Sequence, residues 1–565
     1  MATSGDDDGF KRKILLLSTV GGYTHAAPIL ELGAVLAARG HTIAFATNAG
    51  QEHWARASPF ISATHTLGPA LPASIDAAIC ERSWSAATSP SPSSSLAALL
   101  AAKRTMDASA WPAAHARLRR LCAAPATRPD FIVADYFSDA AATDMLREHA
   151  VPVAVVWPQF PFAAAPRPGY VPGVPGFQPV PATTSERLGV WDRLRNEAVL
   201  LWALPHVRAH ARWTREMRRG VDGAGVAGER PLGYGRLRFV VLVNSFFGLE
   251  TPRPLPPLMR AVGPVLADSW APMEDGLERW LGRRARVVYV SLGTHVVLPE
   301  EKGMELMRGL LEVLGRGGVD GVVWALPEVT GRRFDRAKRV AVVAGNGSEG
   351  NEVETTVGDV VDNKHEDFLV LPFAPQRAVL EHPHTTLFLT HAGGSSANEA
   401  AWHGVRVLCL PVWFDQLANA ERLAEAGVGL QLDKFAFDAG DVVGKIETVM
   451  RDEDGMFAKN VQRLKRIARI AAKGKHRAAD LIEEVLADWE GGAGNGDRAM
   501  HLQTADCRMS VWKARNWDLM AVVVGITVIS GGLTWWGVRA LWLKRDFVGG
   551  VVKRLWAGLA SSVWS

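Results

Sequence analysis

Short, unbroken apolar runs recur along the chain, each closed by a glycine or polar turn and followed by a segment of helical spacing. Ile14–Val20 is the first run, Ala26–Arg39 repeats its apolar positions every three to four residues, and Thr42–Thr47 is apolar again. Phe131–Ala134, Val151–Val156 and Phe239–Asn244 read the same way. Strands covered by helices on both faces of a parallel sheet have this continuous character. The proline-rich segment Thr251–Pro257 interrupts the series and marks a domain boundary. The alternation then restarts with Val287–Ser291, Gly321–Leu326, Phe368–Leu371, Thr386–Thr390 and Val407–Pro411, and ends in helical patterns over Val461–Ala472 and Arg477–Trp489. The pattern predicts an α/β protein of two doubly wound, Rossmann-like domains, residues 11–255 and 256–490. A ligand cleft is expected at the carboxyl ends of the strands.

Several stretches break the pattern. Residues 1–10 carry Asp6, Asp7 and Asp8 and are expected to be disordered. Ser85–Ser95 reads as a surface loop. Pro158–Pro181 is too proline-rich for regular structure and predicts a long loop that shapes a binding site. Gly345–Lys364 is polar and glycine-rich, the composition of a disordered insertion. Residues 491–516 form a linker. Leu519–Val538 is twenty residues without a charge, near the length that crosses about 30 Å of hydrocarbon. Trp517, Trp535, Trp536 and Trp542 gather toward its ends as interfacial aromatics do. A transmembrane helix is predicted over residues 517–542, with a basic amphipathic tail over 543–565 lying on the membrane surface. The alternative, an amphipathic core helix, conflicts with apolarity on every face.

Composition sharpens this only in places. The net charge of +4 over 565 residues argues against a nucleic-acid-binding body. The basic excess is local: from Arg498 onward nine Lys/Arg face three Asp, which directs the tail to an anionic membrane. The four cysteines are far apart and form no CxxC pair, so a zinc or redox site is not expected. Lys11, Arg12 and Lys13 precede an apolar run as in a signal peptide. That run enters Gly21-Gly22 without a small-residue cleavage site, so it reads as a buried strand. The expected topology is a C-terminal anchor with the body in the cytosol.

The densest chemistry lies between Leu371 and Asn419. A strand ends in His391, a small-residue turn follows through Gly393 and Ser396, and a helix begins near Ala397. Strand, glycine turn and helix N-terminus make an anion site, because free backbone N–H groups and the positive helix end face one point. Glu399, one turn on, can accept from vicinal ribose hydroxyls. Asp415 and Gln416 offer acceptors and a donor to sugar hydroxyls. Taken singly, each has a plain alternative: a glycine turn is often just a turn, and Asp415 alone would serve as a helix N-cap.

This stretch resembles the donor-binding signature of the UDP-glycosyltransferase family, glycosyltransferase family 1, with the GT-B fold. The resemblance covers about residues 11–490. It implies that Phe373 stacks on uracil, that Pro375 and Gln376 bind the base, and that His391 holds the diphosphate. It further implies that Glu399 holds the ribose and that Asp415-Gln416 binds the sugar. The opening aromatic is Phe where the family commonly has Trp. Gly394 and Ser395 stand where plant members carry Trp-Asn. Val288–Thr294 resembles the family's loop at the start of the donor domain, which places Ser291, Gly293 and Thr294 near the phosphates.

His25 follows the first strand directly, with Pro28 three residues on. A lone histidine at a helix start is commonly structural, but the family places its catalytic base here. Neutral imidazole titrates near working pH and suits removal of the acceptor proton. Asp135, closing Phe131–Ala134, matches the family's carboxylate partner. Asp139 is the nearby competitor and reads as a helix cap, and His41 as structural. The implied reaction is inverting transfer, from UDP-glucose by the pattern of Gln416, to a small lipophilic acceptor. Trp157, Phe160 and Phe162 in the proline-rich loop read equally as the wall of a hydrophobic acceptor pocket or as a packing cluster. No metal and no cofactor are expected, since the helix N-terminus and His391 can replace a cation. The alternatives are a UDP-glucuronosyltransferase, a silent nucleotide-sugar-binding subunit, and a GT-B phosphorylase using pyridoxal phosphate.

Overall fold

The first apolar run becomes β1 (Lys13–Ser18), whose residues after Lys13 are all buried, and which starts a seven-stranded parallel sheet. In this computed structural model the described residues are 10–72, 84, 92–160, 182, 184, 186–221, 237–294, 296–344, 351–413, 415–491, 499–505 and 509–562. The sheet comprises β1, β2 (Thr42–Thr47), β3 (Ile61–Thr66), β4 (Phe131–Asp135), β5 (Val153–Trp157), β6 (Val240–Val243) and β7 (Met259–Ala261), in the order β3-β2-β1-β4-β5-β6-β7. From β1 the chain winds out to β3, then crosses to β4 on the other side of β1. The β1/β4 junction is therefore a topological switch point, where loops from two neighbouring strands diverge and leave a crevice.

A six-stranded parallel sheet repeats the scheme with β8 (Val287–Ser291), β9 (Gly321–Ala325), β12 (Phe368–Leu371), β13 (Thr385–Thr390), β14 (Arg406–Cys409) and β15 (Gly429–Gln431). Its order, β12-β9-β8-β13-β14-β15, places the switch between β8 and β13. Strand alternation divides the core into two layers. Val288 and Val290 join Met307, Trp324 and Ile446 on one face, and Val287 and Tyr289 join Phe388, Ala397 and Leu464 on the other.

Four features differ from the sequence reading. Gly345–Lys364 is not a disordered insertion as a whole: β10 (Arg339–Ala344) pairs antiparallel with β11 (Asn351–Thr356), and a short helix, Val357–Val361, follows. Val357 and Val360 are fully buried in the core, and Thr356 caps the turn by accepting from Asp359 N–H. Residues 345–350 lie outside the described residues. The loop at Ser85–Ser95 ends early, because a helix, Pro92–Ala123, starts at a proline, the residue best suited to a first helical position. β7 pairs with β6, so the first sheet continues past Thr251–Pro257. Finally, the helix Gly474–Gly491 returns to the first half. It packs on the helix Tyr23–Ala38, with Asp480 and Glu483 binding Arg39 and with Trp489 donating to Ala150 C=O. Gly474 rests on Val262, where an added Cβ would lie 2.4 Å from the carbonyl oxygen.

Residues Leu502–Ser565 form a separate compact unit. Its helix, Trp517–Ser562, is one continuous element of 46 residues, so the segment expected as a separate basic tail extends the same helix. By length and composition it is able to cross a membrane: the most apolar eighteen-residue stretch within Trp517–Ala560 has mean hydropathy 1.8 and none of it is buried.

Candidate functional site

His25 and Asp135 leave the carboxyl ends of β1 and β4, the two strands flanking the first switch point. His25 Nδ1 lies 2.7 Å from Asp135 Oδ1. The carboxylate is 2% exposed and is itself oriented, its Oδ2 accepting from Phe137 N–H at 3.2 Å and Ser138 Oγ at 3.3 Å. Ser138 Oγ in turn accepts from Thr19 N–H at 3.0 Å. This arrangement favours the Nδ1–H tautomer and leaves Nε2 with a lone pair. The ring packs on Phe137 with centroids 4.7 Å apart. Gly21, at φ 94°, makes the ring position possible, since a Cβ there would sit 2.5 Å from His25 Cδ2. His41, by contrast, is buried between Arg12 N–H and Glu483 and serves structure. Asp139 opens the helix Asp139–His149.

The second switch point is built alike. His391 leaves β13 and its ring lies against the Gly293 turn after β8. A Cβ on Gly293, at φ 75°, would meet His391 Cε1 and Nε2 at 2.8 Å, and one on Gly393 would meet Nε2 at 2.5 Å. The helix begins at Gly394, three residues earlier than its sequence pattern suggested, because Gly393 in extended conformation serves as N-cap. Ser395 and Ser396 thus belong to the first turn, whose N–H groups are not capped by the Gly393 side. Ala392, buried and at φ 60°, holds the turn in a conformation unusual for a residue with a side chain.

Around this turn the structure brings most of the expected donor residues together. Gln376 Nε2 donates to Glu399 Oε2 at 2.7 Å and to Ser396 Oγ at 3.2 Å, and Pro375 caps the helix Gln376–Glu381. Burial raises the Glu399 carboxyl above the ordinary range, opposed by the hydrogen bond from Gln376 and the charge of Arg377. Phe373 is 76% exposed, an open ring face beside Gln376. Ser291 is buried and Thr294 exposed, on either side of Gly293. Asp415 Oδ2 accepts from Gly394 N–H at 3.1 Å and from Asn419 Nδ2 at 3.0 Å. Gln416 Oε1 accepts from Val412 and Trp413 N–H at 3.0 and 3.2 Å, which fixes its side chain and leaves the amide NH2 as the donor. Lys434 holds the Val412 carbonyl from the other side.

The two halves meet at the site. Burial raises the Asp415 carboxyl, and the His25 imidazole is near enough to pull it back down. A Cβ on Gly394 would touch Pro158 Cβ at 3.3 Å. Trp413 packs, as Phe137 does, against the cluster of Val20, Ala102, Met106 and Ala110 of the first half.

The acceptor-wall residues fare differently. Trp157 packs on Tyr136, with centroids 4.1 Å apart, close behind Asp135. Phe160 is 3% exposed and stacked on Phe247, with Arg253 over its ring, contacts that favour the packing alternative. Phe162 lies outside the described residues. Sequence reasoning missed Thr19, Ser138 and Trp413, and also a buried seam that fixes one half on the other. Asn398 Nδ2 donates to Asn244 C=O at 2.8 Å, and Arg422 Nη1 donates to Glu250 at 3.0 Å and to Asn419 Oδ1 at 3.1 Å. The available signal was polar residues ending β6 and interrupting small-residue helix faces.

Two Rossmann-type sheets whose switch points open on one crevice, one carrying an imidazole–carboxylate pair and the other a glycine-capped helix N-terminus, define a nucleotide-sugar transferase of the GT-B type. Residues 235–474 match the family model for UDP-glucoronosyl and UDP-glucosyl transferases. A UDP-glycosyltransferase of Talaromyces amestolkiae is 39% identical over 532 residues, covering 93% of this chain and 97% of that protein. UDP-glycosyltransferase stmC of Aspergillus ustus is 40% identical over 536 residues, with the same coverage. Among solved structures, a UDP-glucosyltransferase from Polygonum tinctorium superposes with TM-score 0.54 at 22% identity, over 84% of this chain and 99% of that one. The chain belongs to the UDP-glycosyltransferase family and is a glycosyltransferase enzyme.

Two substitutions test the donor side. Gly293→Ala must displace the His391 ring, and its positive φ adds strain of about 1 kcal/mol. UDP affinity by titration calorimetry is expected to fall about tenfold, one mispositioned hydrogen bond. Glu399→Gln removes a charged acceptor, and the UDP Kd should rise about tenfold to a hundredfold. Because burial raises this carboxyl, wild-type affinity should decline as pH falls through that raised value, the ionised form being the better hydrogen-bond acceptor. The glutamine variant should lack that decline.

Proposed function

We propose that the enzyme transfers glucose from UDP-glucose, with inversion, to a hydroxyl of a small lipophilic acceptor. The reading is carried by one observation: the His25–Asp135 pair of the first half lies within electrostatic reach of Asp415 in the donor crevice of the second. In the proposed step His25 Nε2 takes the acceptor hydroxyl proton as that oxygen attacks the anomeric carbon. The bond from that carbon to the β-phosphate oxygen breaks on the opposite face, UDP leaves, and the imidazolium later releases its proton to water. Asp135 stabilises the imidazolium. His391 and the N–H groups of Ser395 and Ser396 take up the charge developing on the diphosphate. They stand where other enzymes use a divalent cation, so the reaction is read as metal-independent. Phe373 stacks on uracil, Pro375 and Gln376 hold the base edge, and Glu399 holds the ribose. Ser291, Gly293 and Thr294 lie along the phosphates, and Asp415 with the Gln416 amide binds the sugar hydroxyls.

The helix Trp517–Ser562 anchors the chain in a membrane, with the body on the cytosolic side. At about 1.5 Å per residue it is long enough to cross a bilayer and continue into the interface beyond. The test is UDP release with UDP-glucose and with UDP-glucuronate against a panel of phenols and sterols, with mass detection of product, with and without a chelator. Glucoside formation that persists under chelation supports the reading. Faster turnover of UDP-glucuronate overturns the sugar, and loss of activity on chelation overturns metal independence.

A further inference from the structure

The helix Val190–Arg219 carries two stripes on one outward face. Its first half exposes Val190, Trp191, Leu194, Leu201, Trp202 and Leu204, with Trp191 at 79% and Leu201 at 72% exposure. At 3.6 residues per turn Val190, Leu194, Leu201 and Leu204 share a face with Arg208, Arg212, Arg215 and Arg219, which are exposed on the second half, and Trp191 and Trp202 flank that face, roughly 100° around the helix. The opposite face holds Asn196, His210 and Arg218, all buried. The helix as a whole carries seven arginines against Asp192, Glu197 and Glu216. An apolar patch of this size on a folded body marks a binding surface.

We propose that this helix is a second membrane contact, made by the catalytic body itself with an anionic bilayer. The apolar half with its two tryptophans enters the interface, and the arginine half lies along the lipid phosphates. Charge complementarity selects an anionic lipid surface over a second copy of the chain, because the same helix on a second copy carries only three acidic residues and offers the arginines no matching acidic stripe. The helix Trp517–Ser562 tethers the body to the bilayer, so a second contact too weak to attach the chain by itself forms at high effective concentration. The contact has a functional consequence. Val190–Arg219 packs on the helix Pro92–Ala123, with Arg104 Nε donating to His210 Nδ1 at 3.4 Å. That helix presents Ala102, Met106 and Ala110 to the cluster of Val20 and Phe137 beside His25. The acceptor side of the crevice is thereby held against the phase in which a lipophilic acceptor concentrates.

The test uses the full chain with Cys80 and Cys507 replaced by serine and an environment-sensitive fluorophore on Leu201→Cys, in vesicles containing nitroxide-labelled lipid. With phosphatidylserine present, the emission should shift to the blue and be quenched, while the same label on Arg332→Cys, an exposed site in the second half, stays unquenched. Arg208→Gln with Arg212→Gln should lower the inserted-to-free ratio about thirtyfold, the effect of two basic residues at an anionic surface. Turnover of a water-soluble acceptor should not change. An unquenched label at Leu201 on vesicle-bound protein overturns the proposal. So does equal quenching at both sites, or concentration-dependent cross-linking between Leu201→Cys residues of two copies in place of quenching.

Discussion

His25→Ala is expected to lower kcat by about 10²–10⁴-fold, the range for removing a positioned general base, while UDP affinity and the thermal midpoint stay close to wild type. The ring is partly exposed and its substitution opens no core, so the loss falls on chemistry rather than folding. Asp135→Ala should lose activity to within an order of magnitude of the same value, because the carboxylate acts only through the imidazole. The double variant should then fall little further than His25→Ala, since residues that act as a unit are not additive. Steady-state kinetics with donor saturating, together with UDP titration, separate the outcomes. Full activity in His25→Ala would remove the imidazole from the mechanism. An additive double variant would give Asp135 a separate role.

Arg422→Met is expected to cost about 3–5 kcal/mol of stability, the cost of leaving a buried carboxylate without its partner. Glu250 is 2% exposed and Arg422 6%, so water cannot replace the lost contact. The damage should reach the donor site as well, because Arg422 also donates to Asn419, whose amide holds Asp415. Adding Glu250→Met should recover most of the loss, since removing both charges removes the uncompensated one. Denaturant midpoints of the two single variants and the double decide this. If the double is less stable than Arg422→Met, the charge of Glu250 is not what the single variant exposes.

The sequence was most informative where burial is symmetrical. Continuous apolar runs such as Ile14–Val20 and Val287–Ser291 revealed central strands, because both of their faces are covered. β3, with most of its residues exposed, and the three-residue β7 and β15 carry no such signal. In Asn351–Val361 the polar composition concealed β-branched residues whose pairing with β10 decides the local structure. The donor crevice was legible because its residues lie within one short stretch, Phe373 to Gln416. The seam was not, since Asn244 and Asn398 are 154 residues apart and Glu250 and Arg422 are 172 apart. No periodicity links residues at such separations. For Phe160 the sequence left a ligand wall and a packing cluster open, because its stacking partner Phe247 lies far along the chain.

Because Gly474–Gly491 folds back on the first half, the polypeptide passes between the halves twice, once outward after β7 and once in return. Gly474 against the Val262 carbonyl shows that the two passages touch. Lys475 tightens the same spot, reaching the Leu266 carbonyl at 3.2 Å and Asp268 at 2.8 Å. Any widening of the crevice to admit or release a nucleotide therefore bends the chain here, as a door turns on paired leaves of one hinge, and also works against the Asn244–Asn398 and Glu250–Arg422 contacts. A side chain at position 474 would wedge that pivot, altering the rate of product departure while leaving every group that touches substrate in place.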